Sequence, residues 1–345
     1  MKKNTKDNLI FNSSITITTF IVDFFLNALM LGIQEKVFIF LFATGFLLLV
    51  SSLYAISEVE SRTLQEKYPH RLLPSFILVG WPKTGSTSVA SYLANHPQII
   101  FDINKKEPNF LGFQHISESD YALQFPDCQI VNCTNKMTFD GTIGLVGTAE
   151  GSTHAHTYLP NAKLVFIVRN PVDRSYSRFR MAYRKELSPT LLVRHFNAAV
   201  NQTVYELQSF LKEFEKERKR TVPPIDIWTY QKKYDNHLPF KGDNRYFTTS
   251  LYYYLMEPYL RKYPRSKIHI MSTYRLQTDP KFEMNKLYKF LGLKSQQLDW
   301  DSLKKNIHPA KDDMDPKTRK QLTNFFRRYN RIFETLMDGK FDLER

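Results

Sequence analysis

The residues with the clearest chemical potential lie in one short run, Pro82-Lys83-Thr84-Gly85-Ser86-Thr87-Ser88. An ammonium group, a glycine and several hydroxyls at this density suit an anion-binding loop. The apolar run Phe76 to Gly80 before it predicts a buried strand, and the hydroxyl residues after it predict a helix N-terminus. Backbone N–H groups and the helix dipole would then point at one spot beside Lys83. The alternative is an ordinary strand-to-helix turn with a solvated lysine.

A second candidate site follows another apolar run. The stretch Leu164 to Pro171 predicts a buried strand that ends near Arg169, and Ser177 follows eight positions later on a helix that starts at Pro171. Ligands of open α/β sheets bind at the carboxyl ends of the strands, so both sites would face one crevice. Two anion sites in one crevice suit a nucleotide that carries phosphate groups at both ends.

The order of residues in the first loop argues against ATP chemistry. A Walker A loop has its lysine directly after the second glycine, whereas Lys83 precedes Gly85. No acidic residue clearly ends a predicted strand to hold Mg²⁺, so no metal is predicted. A P-loop nucleotide kinase or phosphotransferase therefore stays an alternative against which the loop counts.

The elements that would position these sites alternate between strands and helices. Further strands are predicted at Leu145 to Thr148 and Lys267 to Tyr274, and helices at Asp279 to Leu291 and Pro316 to Met337. The small, polar segment after the first of these strands is predicted to be a loop. The alternation predicts an α/β, P-loop-like three-layer fold with a central, mostly parallel sheet flanked by helices.

The region Glu186 to Arg245 is long and charged and shows no clear strand pattern. Within it, Glu206 to Arg220 predicts a solvated helix. The segment Tyr230 to Phe247 interleaves aromatic residues with lysine and arginine, as a surface for an acidic sugar polymer would. A solvated insertion is the alternative interpretation of that segment.

The composition bounds the class of partner. The formal net charge of +14 predicts acidic partners, but the sequence has no zinc-finger, homeodomain or basic-zipper pattern, so nucleic acid is not predicted. Cys128 and Cys133, the only cysteines, are too few for a disulfide scaffold and lack metal-site spacing. They could form one local disulfide or remain two free thiols.

The N-terminal part predicts a membrane anchor. Val37 to Ile56 carries no charge over about twenty residues, the length that crosses a hydrocarbon core. Residues 1–36 would form a cytoplasmic tail, because its first lysines favour the cytoplasmic side. A weaker apolar stretch, Ile15 to Ile33, could add a second span, but Asp23 within it would be costly in lipid. One uncleaved span is preferred, with residues 57–73 as a short stem and residues 74–345 in the lumen.

Two glycosylation sequons agree with a lumenal location. They begin at Asn132 and Asn201, each followed two positions later by a threonine. Sequons of this kind arise often by chance, so they add only a little to the topology prediction.

Several of these motifs together resemble one enzyme family. PKTGSTS before a helix and RNPVDRSYSRF after a buried strand resemble the sulfotransferases that use 3′-phosphoadenosine 5′-phosphosulfate. KKEPNFLGF is similar to the Lys-Glu-x-His-Phe-Phe segment of the membrane-bound glycosaminoglycan sulfotransferases, and SLYYYLMEPYLRKYPRSKIHIM to their later Gly-x-Tyr helix and strand. The resemblance extends from about Phe76 to Leu336.

The resemblance implies roles for individual residues. Lys83 to Ser88 would hold the 5′-phosphosulfate, with Lys83 stabilising the charge that develops on the bridging oxygen. Arg169 and Ser177 would hold the 3′-phosphate, and Glu107 would be the general base for the acceptor hydroxyl. Tyr252 and Lys311 are further predicted cofactor contacts. The alternative for Glu107 is an ion pair with Lys105 or Lys106. No metal is required for this chemistry.

The sequence also departs from the family pattern. Asn109 stands where related heparan enzymes often have histidine, and Ser250 replaces the usual glycine ahead of Tyr252. The family's cysteine-flanked basic loop near the C-terminus is absent. In its place, MDPKTR is similar to the N-acetylgalactosamine 4-sulfate 6-O-sulfotransferases. Lys311 or Arg319 could reach the cofactor from this region.

The resulting prediction is a single-pass type II Golgi membrane enzyme that sulfates a hydroxyl of an acidic glycan. A chondroitin or dermatan acceptor is preferred over heparan because of the C-terminal similarity. A third possibility, besides the kinase, is a membrane-anchored glycan-binding protein that keeps the fold without activity. That possibility predicts a damaged cofactor loop, whereas Lys83, Glu107, Arg169 and Ser177 are all present.

Overall fold

The computed structural model describes residues 44–46, 48, 63–102, 106–112, 116–233, 244–300, 303 and 314–345. The chain divides into two compact units, Met1–Arg62 and Thr63–Arg345. The second unit contains all the strands and helices discussed below.

Four strands form one sheet: β1 (Phe76–Gly80), β2 (Phe139–Asp140), β3 (Lys163–Val168) and β4 (Ile268–Ser272). The helices are α1 (Leu64–Lys67), α2 (Ser86–Ala94), α3 (Glu118–Ala122), α4 (Gly151–Tyr158), α5 (Pro171–Tyr183), α6 (Pro189–Arg218), α7 (Ile227–Lys233), α8 (Asn244–Thr248), α9 (Tyr252–Leu260), α10 (Thr273–Thr278), α11 (Pro280–Leu291) and α12 (Pro316–Leu336). Two 3₁₀ turns, Leu145–Gly147 and Arg265–Lys267, complete the described elements.

The sheet has the order β2-β1-β3-β4, and every pairing in it is parallel. In register, Gly80 at the end of β1 lies opposite Ile167, and Val168 at the end of β3 lies opposite Ser272. The carboxyl ends of the three longer strands therefore meet at one edge. The loops that follow these strands carry both predicted anion sites.

Side chains alternate between two buried faces of the sheet. Ile77, Val79 and Phe166 belong to one apolar cluster, which also contains residues of α5, α6, α9 and α12. Phe76 and Leu78 belong to a second cluster, which contains residues of α2 and α11. Because both faces are covered, the strands are continuous apolar runs rather than half-polar ones. The predicted three-layer α/β fold is confirmed.

One strand prediction is wrong. Leu145 to Thr148 forms a 3₁₀ turn rather than a strand, and the strand at that edge is the earlier Phe139–Asp140. Gly144, with φ of 91°, starts the turn and lets Leu145 and Val146 bury their side chains without a ladder. The predicted loop after it is helix α4. The sequence pattern predicted a strand at Leu145 to Thr148 because a short buried turn and a short buried strand have the same apolar content.

At Glu206 to Arg220 the predicted helix is confirmed as far as Arg218, but the prediction that it is solvated is wrong. This segment belongs mostly to α6, a helix of 30 residues that starts at Pro189 behind the Ser188 cap. Leu207, Phe210 and Phe214 are buried on one face of it. Their spacing places an apolar stripe against the core, and the charged residues occupy the remaining faces.

The disulfide alternative is settled by the structure. Cys128 and Cys133 are bonded to each other, with their Cα atoms 5.4 Å apart. Asn132, the first residue of one sequon, is exposed beside this bridge, and Asn201 is exposed on α6. Both asparagines are accessible, while their glycosylation stays a prediction.

The predicted membrane span lies almost wholly outside the described residues. Of Val37 to Ile56, the structure describes residues 44–46 and 48, which are helical and exposed. In the part of the chain that is described, no helix has the length and apolar character needed to cross a membrane.

Helix α11 offers a test of the local folding rules. Asp279 accepts a hydrogen bond from the Phe282 N–H at 2.9 Å, and Pro280 occupies the first turn. We expect Asp279→Ala to lower the free energy of unfolding by about 1 kcal/mol, since one amide loses its cap. The measurement is denaturant unfolding of the purified chain. Asp279→Ser retains a capping oxygen and is the matched control; equal losses for both variants would refute the capping role.

Candidate active site

The loop after β1 adopts a shape that exposes backbone amides at a helix start. Lys83 and Gly85 both have positive φ, at 74° and 92°. Gly85, which has no side chain that could cap the helix, is the N-cap of α2. Positive φ is costly for residues other than glycine, so Lys83 is held there by its surroundings. The helix start is therefore available to an anion, with the lysine next to it.

Thr84 is used inside the loop rather than at its surface. Its side chain is fully buried, and its hydroxyl donates to the Trp81 carbonyl at 2.8 Å. The Thr273 hydroxyl lies 2.6 Å from the Thr84 carbonyl and 2.9 Å from the Val168 carbonyl, which ties the loop to β3. A contact between Thr84 and an anion would thus come from its backbone amide, not from its side chain.

The structure brings the two predicted anion sites together. The Arg169 guanidinium donates to the Lys83 carbonyl at 3.1 Å, so the residue after β3 reaches the loop after β1. Both side chains are partly exposed. Their cationic groups therefore border the same crevice at the carboxyl edge of the sheet.

Tyr252 fixes the backbone of Arg169 with two hydrogen bonds. Its hydroxyl donates to the Arg169 carbonyl at 2.6 Å and accepts from the Arg169 N–H at 3.3 Å. The side chain is buried, and burial raises the pKa of Tyr252 to about 12, so the hydroxyl stays protonated. This geometry gives Tyr252 a positioning role, in place of the predicted direct contact with a cofactor.

Arg174 is a second buried residue that supports the site. The sequence pattern does not identify it, although it lies within the RNPVDRSYSRF motif. It is fully buried, and burial lowers its pKa to about 10, which leaves it charged at neutral pH. Its Nε donates to the Ser250 hydroxyl at 2.6 Å, and its guanidinium also donates to the Tyr246 carbonyl. Ser250, which departs from the family glycine, is thus an acceptor for this buried cation.

Positive charge is concentrated around the loop. Burial lowers the pKa of Lys83, and the neighbouring guanidinium groups of Arg169, Arg184 and Arg178 lower it further. These neighbouring positive charges repel one another. An anion that binds among them offsets that repulsion. The crevice therefore has the electrostatic character of an anion site.

The remaining predicted nucleotide contacts are placed less directly. Ser177 is half-buried on α5, two helical turns after the Asn170 cap. Arg319 pairs with Asp173 at 2.9 Å, which joins α12 to α5 near that helix start. Lys311 lies outside the described residues. Ser86 and Ser88 are buried in the first turn of α2, and Thr87 is half-buried between them.

Glu107 lies next to the anion loop, and a lysine connects the two. The Lys106 ammonium is 2.9 Å from the Glu107 carboxylate and 3.4 Å from the Ser86 hydroxyl. The Lys106 side chain is only 8% exposed, whereas that of Glu107 is 34% exposed. The alternative ion pair of Glu107 is therefore present in this structure, with Lys106 as its partner.

The backbone around Glu107 has a fixed shape. Asn109 has a φ of 58°, and its side-chain amide donates to the Glu107 carbonyl at 2.8 Å. A Cβ at Gly141 would lie 2.8 Å from the Cγ of Lys106, so the lysine stem crosses the glycine directly. The sequence predicts Lys106 only as an alternative ion-pair partner of Glu107, although Lys106 stands at the lysine of the Lys-Glu-x-His-Phe-Phe similarity.

Asp140 is an acidic residue of a buried strand that the sequence reasoning overlooked. It accepts from the Tyr121 hydroxyl at 2.8 Å and from the Thr142 N–H at 2.7 Å. Burial raises its pKa. It is the last residue of β2 and pairs with Ile77 of β1, and its carboxylate oxygens are engaged by Tyr121 and Thr142. Among the described residues, no group of three His, Cys, Asp or Glu side chains could hold a metal ion.

The lowered pKa of Lys83 predicts a pH dependence of anion binding. Inorganic sulfate stays a dianion above neutral pH, so only the protein titrates. Lys83 binds sulfate as the ammonium, and its lowered pKa means that the ammonium is lost at a lower pH than for an ordinary lysine. We therefore expect the affinity for sulfate, measured by thermal stabilisation, to fall as the pH rises towards the lowered pKa of Lys83. Lys83→Met is the control and should bind weakly with a flat profile; an unchanged profile would rule out Lys83.

Comparison with known proteins agrees with this geometry. A family model described as a sulfotransferase domain matches residues 73–329. The membrane-associated sulfotransferase kil1 of Dictyostelium discoideum is 24% identical over 315 residues, which cover 78% of this chain and 66% of that protein. The human bifunctional heparan sulfate N-deacetylase/N-sulfotransferase 2 is 23% identical over 284 residues, covering 75% of this chain and 29% of that protein.

A solved structure shares the fold. The sulfotransferase from Alicyclobacillus acidocaldarius superposes with a TM-score of 0.54 at 20% sequence identity, covering 79% of this chain and 99% of that one. The chain spans about two thirds of one curated relative and under a third of the other. Since the family model covers most of the chain, including every described strand, we conclude that this protein belongs to the sulfotransferase family.

Proposed function

We propose that the enzyme transfers a sulfuryl group from 3′-phosphoadenosine 5′-phosphosulfate to a hydroxyl of a glycan. One observation carries the proposal: the Lys106 ammonium touches both Ser86 of the anion loop and the Glu107 carboxylate. A base and an anion cradle that share one lysine lie close enough to act on the same sulfur atom.

The donor would occupy the crevice between the two anion sites. The amides at the start of α2 and the Lys83 ammonium would hold its 5′-phosphosulfate. Arg169 would hold the 3′-phosphate together with Ser177, with Tyr252 fixing the Arg169 backbone. Sulfotransferases generally use this donor, which supplies an activated sulfuryl group that no metal needs to polarise.

The residues of the site then divide the chemical work. Glu107 takes the proton from the acceptor hydroxyl, whose oxygen forms a bond to sulfur in line with the bond that breaks. Lys83 stabilises the negative charge left on the 5′-phosphate oxygen, which departs with adenosine 3′,5′-bisphosphate. A general base of this kind typically contributes on the order of 10²–10⁴-fold to the rate. The remainder comes from positioning and charge stabilisation.

Lys106 is the link between these two groups. Its ammonium pairs with the Glu107 carboxylate and donates to the Ser86 hydroxyl. A buried lysine at this place would also face the equatorial oxygens of a sulfuryl group on the loop. Lys106 would therefore stabilise the charge of the transferred group and orient the Glu107 carboxylate.

An acidic glycan is the acceptor class that fits the chain best. The net charge of +14 favours an anionic partner, and a heparan sulfate enzyme is among the curated relatives. The chondroitin or dermatan preference rests on the MDPKTR similarity alone, so the acceptor test includes both polymer classes. The kinase alternative disagrees with the family assignment.

The cellular setting is proposed from the sequence. An uncleaved span at Val37 to Ile56 would make the protein a single-pass type II enzyme of the Golgi membrane, with residues 74–345 in the lumen. The disulfide between Cys128 and Cys133 supports an oxidising compartment. The relative from Dictyostelium discoideum is named a membrane-associated sulfotransferase.

The direct test is transfer of labelled sulfate. The full chain in detergent is incubated with ³⁵S-labelled donor and separate chondroitin, dermatan, heparan and desulfated polysaccharides. The proposal predicts label in at least one polysaccharide, and digestion to disaccharides identifies the position. Binding of the donor without transfer to any glycan would instead support the inactive glycan-binding alternative.

Glu107→Gln tests the base. We expect kcat to fall by about 10²–10⁴-fold while the Kd for adenosine 3′,5′-bisphosphate changes little, since the amide keeps the shape but cannot accept the proton. The measurements are initial rates and calorimetric titration. Glu118→Gln, which alters an exposed carboxylate paired with Lys67, is the matched control. A large loss of nucleotide affinity would make Glu107 a structural residue.

Lys106→Met tests whether the Lys106 ammonium connects the base to the transferred group. We expect kcat to fall by about 10²-fold, because both the base and the transferred group lose a cation, while the aliphatic stem still covers Gly141. Lys106→Arg should recover part of the rate by restoring the charge. If methionine and arginine variants are equally slow, the charge of Lys106 has no part in turnover.

A further inference from the structure

A basic groove lies between helices α6 and α12, outside the crevice described above. Its volume is about 690 Å³. The cations that line it are Lys212, Lys216, Lys219, Arg220 and Arg328. We propose that this groove is a second binding site for an acidic glycan chain, separate from the catalytic crevice. The inference rests on the proposed function for the nature of the chain that binds.

The groove and the crevice lie on opposite sides of helix α9. Tyr252 faces the crevice, where its hydroxyl contacts Arg169. Tyr254 lies on another side of the helix, where the hydroxyl of its buried side chain donates at 2.6 Å to Glu215, a residue that lines the groove. Two positions along an α-helix correspond to a rotation of about 200°. A polymer held in the groove therefore leaves the crevice free.

Charge is sorted along α6 so that cations line the groove. Lys212, Lys216 and Lys219 are exposed along one stripe of the helix, which spans about 10 Å, roughly the length of a disaccharide. The neighbouring Glu213 and Glu217 are not among the lining residues. No carboxylate of the described residues pairs with Lys212, Lys219 or Arg220. The one acid in the groove, Glu215, is already occupied by Arg328 and Tyr254.

The floor of the groove suits sugar rings. Phe325 and Tyr329 lie with their ring centroids 5.4 Å apart, and Tyr329 is 6.0 Å from Tyr254. The amide side chains of Gln208 and Asn324 also line the groove. Cations for sulfate and carboxylate groups, the partly exposed ring of Tyr329 for a sugar face and amides for hydroxyls together match an anionic polysaccharide. A membrane surface would require protruding apolar side chains, whereas Phe325 is buried.

The test is a binding assay without the sulfate donor, so its outcome does not depend on catalysis. Fluorescently labelled chondroitin sulfate and heparan sulfate chains are titrated with the full chain in detergent. The combined variant Lys212→Ser, Lys216→Ser and Lys219→Ser should bind at least one polymer about tenfold more weakly, because several exposed contacts of modest strength are lost. The control replaces three exposed lysines elsewhere, Lys262, Lys281 and Lys289, by serine and should bind as the wild type does.

Two further readouts separate the groove from the crevice. The combined variant of Lys212, Lys216 and Lys219, here named the groove variant, should raise the KM for long acceptor chains. It should leave the KM for short oligosaccharides and the kcat unchanged. Equal weakening by the control variant, or wild-type affinity of the groove variant, overturns the proposal. Groove-dependent binding to phosphatidylserine vesicles, with no groove-dependent binding to either polysaccharide, overturns it as well. If no glycan accepts sulfate but groove-dependent binding persists, the enzymatic proposal fails and the binding site stands.

Discussion

The site depends on one short contact, the hydrogen bond from the Arg169 guanidinium to the Lys83 carbonyl. It joins the loop after β1 to the residue after β3 and holds Lys83 in a backbone conformation that lysine rarely adopts. The same contact brings Arg169 close to Lys83, whose pKa is lowered first by burial and then by the neighbouring guanidinium groups. An anion that binds there would offset the repulsion between these positive charges.

The remaining structure keeps this contact in place. Parallel pairing sets the ends of β1, β3 and β4 at one edge, and the two apolar clusters cover the faces of the sheet. Buried polar groups then fix the details: Tyr252 brackets the backbone of Arg169, and Arg174 joins α5 to the turn before α9. Glu107 is fixed differently, through a lysine that contacts both it and the anion loop. Lys106 therefore links Glu107 to the first turn of α2.

The sequence predicted the central parts of this arrangement because they are local patterns. The strand before Lys83, the helix after it and Arg169 at the end of a strand follow from periodicity and capping. What it missed depends on contacts between distant segments: the buried position of Lys106 over Gly141, the support from Tyr252 and the turn at Leu145. The apolar stripe of α6 was obscured by its charged neighbours. The family model confirms the assignment that the loop motifs indicated.

The central claim is that the crevice binds a nucleotide with phosphates at both ends. The most direct measurement compares the Kd of adenosine 3′,5′-bisphosphate with that of adenosine 5′-diphosphate, which also carries two phosphate groups but both at one end. We expect the 3′,5′-bisphosphate to bind at least about tenfold more tightly, a difference of about 1.4 kcal/mol, and Arg169→Ala to remove most of that preference. Equal affinity for the two nucleotides, or a preference that survives Arg169→Ala, would contradict the account.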